Sequence, residues 1–224
     1  GDALQRLSAM GLPGPRDEYW RYTDPKRLNA DAPAGRVAQG EVAFDGIDAL
    51  TVVFRDGVFD AAASDDLAAE GVEISRLADS ATDLHWAADV YGRLEEQGQS
   101  PVTRPFATLC TAFATDGVLI RATGTVSRPI AIRYVGEAEG ADAILHHVLK
   151  VEEGAEVTLL DSGDAAARLT TALEVDIAPT GRSHHVRMQG RSHDRLVNPH
   201  TSARIASEAL LNSFTASPTR TLPR

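Results

Sequence analysis

The side chains of this sequence with which chemistry could be done are seven histidines, a single cysteine and 32 acidic residues spread over 224 positions. Four of the histidines form two adjacent pairs, His146-His147 and His184-His185. On a β-strand, neighbours project to opposite faces, so neither pair can ligate one ion without a bulge. A cupin-like metal site would want two histidines one residue apart with a carboxylate following. Glu152 and Glu153 do follow the first pair, but the H-x-H spacing is missing. Cys110 is the only thiol, and one thiol cannot hold an iron-sulfur cluster, which usually takes about four ligands. It lies at helical spacing with Leu109 and Phe113, which predicts a buried, inert cysteine. Asp116 before Gly117 reads as a turn residue. Neither G-x-x-x-x-G-K-[ST] nor G-x-G-x-x-G occurs, so nucleotide chemistry would have to come from a partner. No catalytic residue, metal ligand or cofactor-binding residue is assigned on these grounds.

The elements that would position these groups are legible as a change of period. Asp2 to Met10 predicts a short helix with Leu4 and Leu7 on one face and Asp2 capping its first turn, and Gly11 ends it. The segment GLPGPRDEYWRYTDPKRL is rich in Pro and Gly around Tyr19, Trp20 and Tyr22, and reads as an aromatic plug that docks the amino-terminal segment. Asn29 to Asp48 reads as a loop. Thr51 to Phe54, Asp56-Gly57 and Val58-Phe59 predict a hairpin, and 71 to 74 one more strand. Thr82 can cap a helix running to about Leu94 that buries Leu84, Ala87, Ala88 and Tyr91. A polar stretch from Glu95 to Pro101 places the end of an amino-terminal domain near Gln99.

From Pro105 onward, Phe106, Leu109, Cys110 and Phe113 predict one short helix. After Asp116-Gly117 the pattern turns to alternation. Val118, Ile120 and Ala122 oppose Leu119 and Arg121; Ile130, Ile132 and Tyr134 oppose Ala131, Arg133 and Val135. Further strands are predicted at Leu145 to Val151, Val157 to Leu160, Leu169 to Ile177 and around Val186 to Met188. Gly124, Gly154 and Gly181 precede strands at intervals of 30 and 27 residues. That spacing is compatible with the coils of a parallel β-helix and equally with an antiparallel β-sandwich. Beyond Gly190 the alternation weakens, leaving one strand around Leu210, Asn212 and Phe214.

Composition narrows the function classes. A formal net charge of -10 and a pI near 5.1 argue against nucleic acid as the main partner, since phosphate binding needs a basic patch. No apolar run approaches the roughly 18 residues of a membrane span, and no signal-peptide pattern opens the chain, so a soluble, cytoplasmic protein is expected.

Two ordered motifs carry a family resemblance. TAFATDGVLIRATGTVSRPIAIRYV, followed by a strand and VEEGAEVTLL, resembles the start of the core domain of the SufB/SufD family, scaffold components of the SUF iron-sulfur cluster assembly machinery. About a hundred residues earlier, Gly11, Pro13, Glu18, Trp20, Arg21, Tyr22 and Thr23 match the E-x-W-[KR]-Y-T motif of that family's amino-terminal region. Where many members carry Asn, this chain has Cys110, which removes a polar capping group and creates no site. The lack of cluster-type cysteines leans toward a SufD-like member.

The resemblance implies a mainly β protein: residues 1–99 as a small α+β domain, then residues 100–224 as the first part of a right-handed parallel β-helix. Within such a stack the paired histidines read as surface and inter-coil groups. It further implies a non-catalytic component acting with a SufB-type subunit and the SufC-type ATPase, without a membrane or nucleic-acid partner. Any iron-sulfur cluster would belong to the complex and no cofactor to this chain. The family's cysteine, its paired histidine and its ATPase-docking surface lie in a carboxy-terminal half with no counterpart in residues 1–224, so the chain reads as an amino-terminal half with an uncapped end. The competing expectation is a small β-helix or β-sandwich enzyme acting on carbohydrate or a small metabolite through its histidines and acidic residues.

Overall fold

A computed structural model describes residues 2–33, 43–79, 85–164, 167–189 and 195–217. Its frame is a parallel β-solenoid of about three turns with a small amino-terminal region. Two sheets face each other. The first is built from β1 (Leu50–Arg55), β2 (Val58–Phe59), β5 (Ile130–Val135), β7 (Glu156–Asp164), β9 (Arg182–Gln189) and β11 (Leu210–Ala216), in the order β11-β9-β7-β5-β1-β2. The second contains β3 (Val72–Arg76), β4 (Val118–Ala122), β6 (Asp142–Val151), β8 (Arg168–Ile177) and β10 (Leu196–Ile205), in the order β10-β8-β6-β4-β3. Only the β1–β2 hairpin and the β3–β4 pair are antiparallel; every other named pairing is parallel, which decides against the sandwich.

The register gives the coil length. Leu119 lies beside Val148, Leu145 beside Thr171 and Leu169 beside Val197, advances of 29, 26 and 28 residues. On the other sheet Ile130 lies beside Leu159, Val157 beside Ser183 and Ser183 beside Leu211, the same advances in the same order. Each coil therefore grows equally on both walls, as a stack must if its strands are to stay paired.

The alternation read from the sequence is the inward-outward alternation of the walls. Val118, Ile120 and Ala122 point inward with Ile130, Ile132, Tyr134, Leu145, Leu149, Val157, Leu159, Leu173, Val175 and Ile177, all in one core. Leu119 points outward into a second, smaller cluster with Ala87, Val90, Leu94 and Val148. Leu50, Val52, Phe54 and Val72 belong to the main core. The boundary drawn at Gln99 thus separates no independent core, because the hairpin and β3 are the first layers of the same two sheets.

Helices α1 (Asp2–Met10), α2 (His85–Ala88), α3 (Arg93–Gln97) and α4 (Pro105–Phe113) accompany the solenoid. The helix expected to run to Leu94 is broken in two, and its cap and start, Thr82 and Leu84, lie outside the described residues. The first piece ends at Ala88, which faces outward, and Gly92, at φ 72° in the left-handed region, stands just before the second. On α1 the side chain of Leu4 is exposed, while Ala3, Arg6, Leu7 and Met10 are half-buried. Asp2 pairs with Arg6 at 2.9 Å. On α4, Phe106 and Cys110 are buried as expected, but Phe113 is 49% exposed. The aromatic plug reduces to Trp20, which packs edge-on against Phe106, since Tyr19 and Tyr22 remain exposed. Strand β10, unforeseen, carries a Pro and a central run of polar side chains that hide its period.

Candidate functional site

Two buried polar clusters lie on opposite sides of the β6 strand. Along the first sheet, the inward positions change character from coil to coil: Ile130, Ile132 and Tyr134 on β5; Val157, Leu159 and Asp161 on β7; Ser183, His185 and Arg187 on β9. Ser183, His185 and Arg187 are buried while their neighbours Val186 and Met188 are only half-buried. Hydropathy alone would have chosen the other face.

Arg187 donates to Asp161 Oδ2 from Nε at 2.9 Å and approaches it with Nη2 at 2.8 Å. Burial by itself would raise the Asp161 carboxyl; the Arg187 guanidinium and His185 overcome that and hold it at about 2. His185 Nε2 stands 3.7 Å from the same oxygen, and its Nδ1 is 3.3 Å from the Ser213 hydroxyl. Nearby, Tyr134 Oη and His147 Nε2 are 2.9 Å apart, and His147 Nδ1 accepts from the Val118 amide at 3.0 Å. An amide N–H only donates, so Nδ1 carries the lone pair and Nε2 the proton. Burial pushes His147 down to about 4, so it is neutral, and pushes the Tyr134 phenol well up. A cavity of about 20 Å³, room for one water, touches Tyr134, Asp161, Thr171, Arg187 and Arg195.

The second cluster lies outside the solenoid, beneath the helices. Glu174 on β8 is 1% exposed and accepts from the Gly92 amide at 2.6 Å and the Glu95 amide at 2.7 Å, capping the start of α3 from across the fold. His146 Nε2 lies 2.9 Å from the same carboxylate, and the Tyr91 ring stacks on the imidazole at 4.1 Å. Glu95, equally buried, receives Arg6 at 2.7 Å, Thr111 at 2.9 Å, Gln99 at 2.6 Å and the Thr108 hydroxyl. This carboxylate joins α1, α3 and α4. Cys110 lies in the same layer, its thiol pushed far up by burial and then by Glu95.

The histidine pairs split between faces as strand geometry requires, but both members of the first pair are buried rather than superficial. His184 faces outward beside Asn212 and Glu156; His185 faces inward. His200, on β10, is buried and pushed down to about 4 by desolvation and then by Arg104 and Arg187. His193 lies outside the described residues, as does the side chain of His85. Glu152 pairs with Arg121 at 2.7 Å, and Glu153 is exposed. Asp116 is buried and holds Arg76 at 2.6 Å as well as the amides of Ala78 and Gly117, a larger task than a turn residue's.

Among the described residues no group of three or more His, Cys, Asp or Glu is placed to hold a metal, and no helix is long and apolar enough to cross a membrane. The polar residues that matter most, Glu174, Glu95, Asp161 and Arg187, were not singled out from sequence. Glu174 alone carries a clear signal, a charge within an otherwise apolar and β-branched strand. A scan against protein-family models and a search of curated proteins both find no match.

Proposed function

We propose that this chain is a SufD-like component of the SUF iron-sulfur cluster assembly scaffold, acting in the cytoplasm with a SufB-type subunit and the SufC-type ATPase and without turnover of its own. The observation that carries this reading is that the first motif packs on the helix that leads into the second. Trp20 of the E-x-W-R-Y-T segment packs against Phe106 at 5.5 Å between ring centroids, at the head of α4. That helix runs into Asp116-Gly117, the turn from which the first coil departs. The first motif thus docks on the helix whose last residues open the second. The parallel solenoid supports the same reading.

The polar clusters fit an assembly role better than turnover. Each charged group in them is spent on a partner within the fold: Arg187 on Asp161, Glu174 on the start of α3, Glu95 on Arg6. A buried, neutral imidazole under Phe54 offers no group to a substrate.

The test is reconstitution. The full-length protein mixed with the SufB-type subunit and the SufC-type ATPase of the same source is expected to elute as one complex by size exclusion with light scattering. Failure of the full-length protein to form the complex overturns the proposal.

A further inference from the structure

Helix α1 is held to the body of the protein less firmly than α4, the helix on which it lies. Five residues of α4 are buried, between Pro105 and Cys110, and none of α1. The nine residues of α1 fall short of the roughly 12–15 that a helix needs to persist alone in water, so it depends on its dock. That dock has one strong polar catch. Arg6 Nη2 meets the buried Glu95 carboxylate at 2.7 Å, while Nη1, bound to Asp2 within the helix, stands 3.8 Å from the exposed Glu96. Among the described residues no other ion pair or side-chain hydrogen bond ties α1 to the body. Directly after the helix, Gly11 sits at φ 68° and Leu12 is 53% exposed. Anchoring resumes at Pro13, which is buried and whose carbonyl accepts from Asn29 Nδ2 at 2.7 Å. A cavity of about 210 Å³, touching Leu12, Leu28, Phe106 and Leu109, lies beside that joint, so these side chains lack packing partners on one side.

We propose that α1 is a latch, docking and releasing as a unit about Gly11 and Leu12 while the solenoid stays folded, and that its release uncovers the Glu95 carboxylate. Glu95 is equipped to outlast the release. Gln99 Nε2 and the Thr108 hydroxyl donate to its Oε1, and the Thr111 hydroxyl donates to its Oε2. All three donors lie outside α1, so the loss of Arg6 leaves the carboxylate with three bonds and admits water in place of the fourth. Glu174 is the contrast. Its partners are the amides of Gly92 and Glu95 and the His146 imidazole, none of them on α1, so it stays closed when the latch opens. The proposal stands independently of the SufD-like reading, since it uses only α1 and the residues on which it sits.

Two measurements on the 224-residue chain test it. By hydrogen exchange, the bonded amides of 6–11 should open at least about 100-fold more often than those of β6 and β8, and with little dependence on urea, as a local opening requires. Carboxyl footprinting with a carbodiimide and glycine ethyl ester should label Glu95 progressively while Glu174, equally buried in the closed state, stays unlabelled. Arg6→Ala removes the catch and improves helix propensity, so any loosening it causes comes from the dock. It should quicken both exchange at 6–11 and Glu95 labelling by about tenfold and leave β6 and β8 as they were. Exchange at 6–11 that shares the rate and urea dependence of β6 and β8, Glu95 labelling no faster than that of Glu174, or an Arg6→Ala chain in which neither rate rises would each overturn the proposal.

Discussion

His146 and His147 are consecutive residues of one strand, and they sit in two separate buried environments. His147 enters the apolar interior of the solenoid, where Phe54 and Tyr134 surround it and burial keeps it neutral. His146 lies outside, stacked under Tyr91 against the Glu174 carboxylate that caps α3. The two environments teach different lessons about cohesion. Inside, stacked Val, Ile and Leu side chains supply the stability, each worth roughly 1.5–3 kcal/mol when fully buried. Outside, a small apolar cluster is supplemented by carboxylates whose hydrogen bonds tie the helices to the sheet. The interior should therefore fail as a whole and the helical layer locally.

The most damaging change should be one that strikes the backbone both histidines hang from. A Cβ at Gly117 would stand 1.8 Å from the His146 carbonyl oxygen and 2.6 Å from its carbonyl carbon, both backbone atoms. Gly117→Ala is expected to cost more than about 4 kcal/mol and to abolish cooperative urea unfolding or soluble yield; a variant within about 1 kcal/mol of the parent would mean this approach is not as close as described. Next comes the interior ion pair. Asp161→Ala leaves Arg187 buried and uncompensated, at an expected cost of about 3–5 kcal/mol in urea unfolding, and combining Asp161→Leu with Arg187→Met should recover most of it.

The outer cluster should break differently. Glu174→Gln keeps one acceptor for the α3 amides but loses the charge, at an expected cost of about 1–3 kcal/mol. Hydrogen exchange should quicken at 92–97 while β6 and β8 keep their protection, and loss of protection across both sheets would erase the distinction between the two environments.

The smallest effect per unit is pH-dependent. His147 and His200 titrate at about 4 in the folded chain against 6.5 when unfolded, so protons bind the unfolded state first as pH falls. Stability should be flat above 6.5, decline between 6.5 and 4 by at most about 1.4 kcal/mol per pH unit for each histidine, and flatten again for these groups below that. His147→Phe should remove one histidine's share of that slope, whatever it does to stability at pH 8.

Much of the wall structure was legible because it is local. In Val118 to Ala122, Ile130 to Val135 and Leu169 to Ile177 every second residue is one of the core's side chains, and that period follows from strand geometry alone. The β1–β2 hairpin followed from Asp56-Gly57, with Asp56 at φ 48° and Gly57 at 84°. What was not legible depended on neighbours distant in sequence. His185 and Arg187 face inward where Asp161, a coil earlier, and Ser213, a coil later, meet them. The helix expected up to Leu94 stops at Ala88, and the next one begins under a cap from Glu174, 82 positions from Gly92.

The sequence by itself determined most of the strands, β10 excepted, and the turns between them, since each rests on residues within a few positions of one another. Only the tertiary structure decided that the strands pair in parallel over advances of 29, 26 and 28 residues, that the hairpin joins the solenoid core and that His146 and His147 are both buried. Alternation is the same for parallel and antiparallel partners, and burial of a polar side chain depends on whether something elsewhere in the chain can satisfy it.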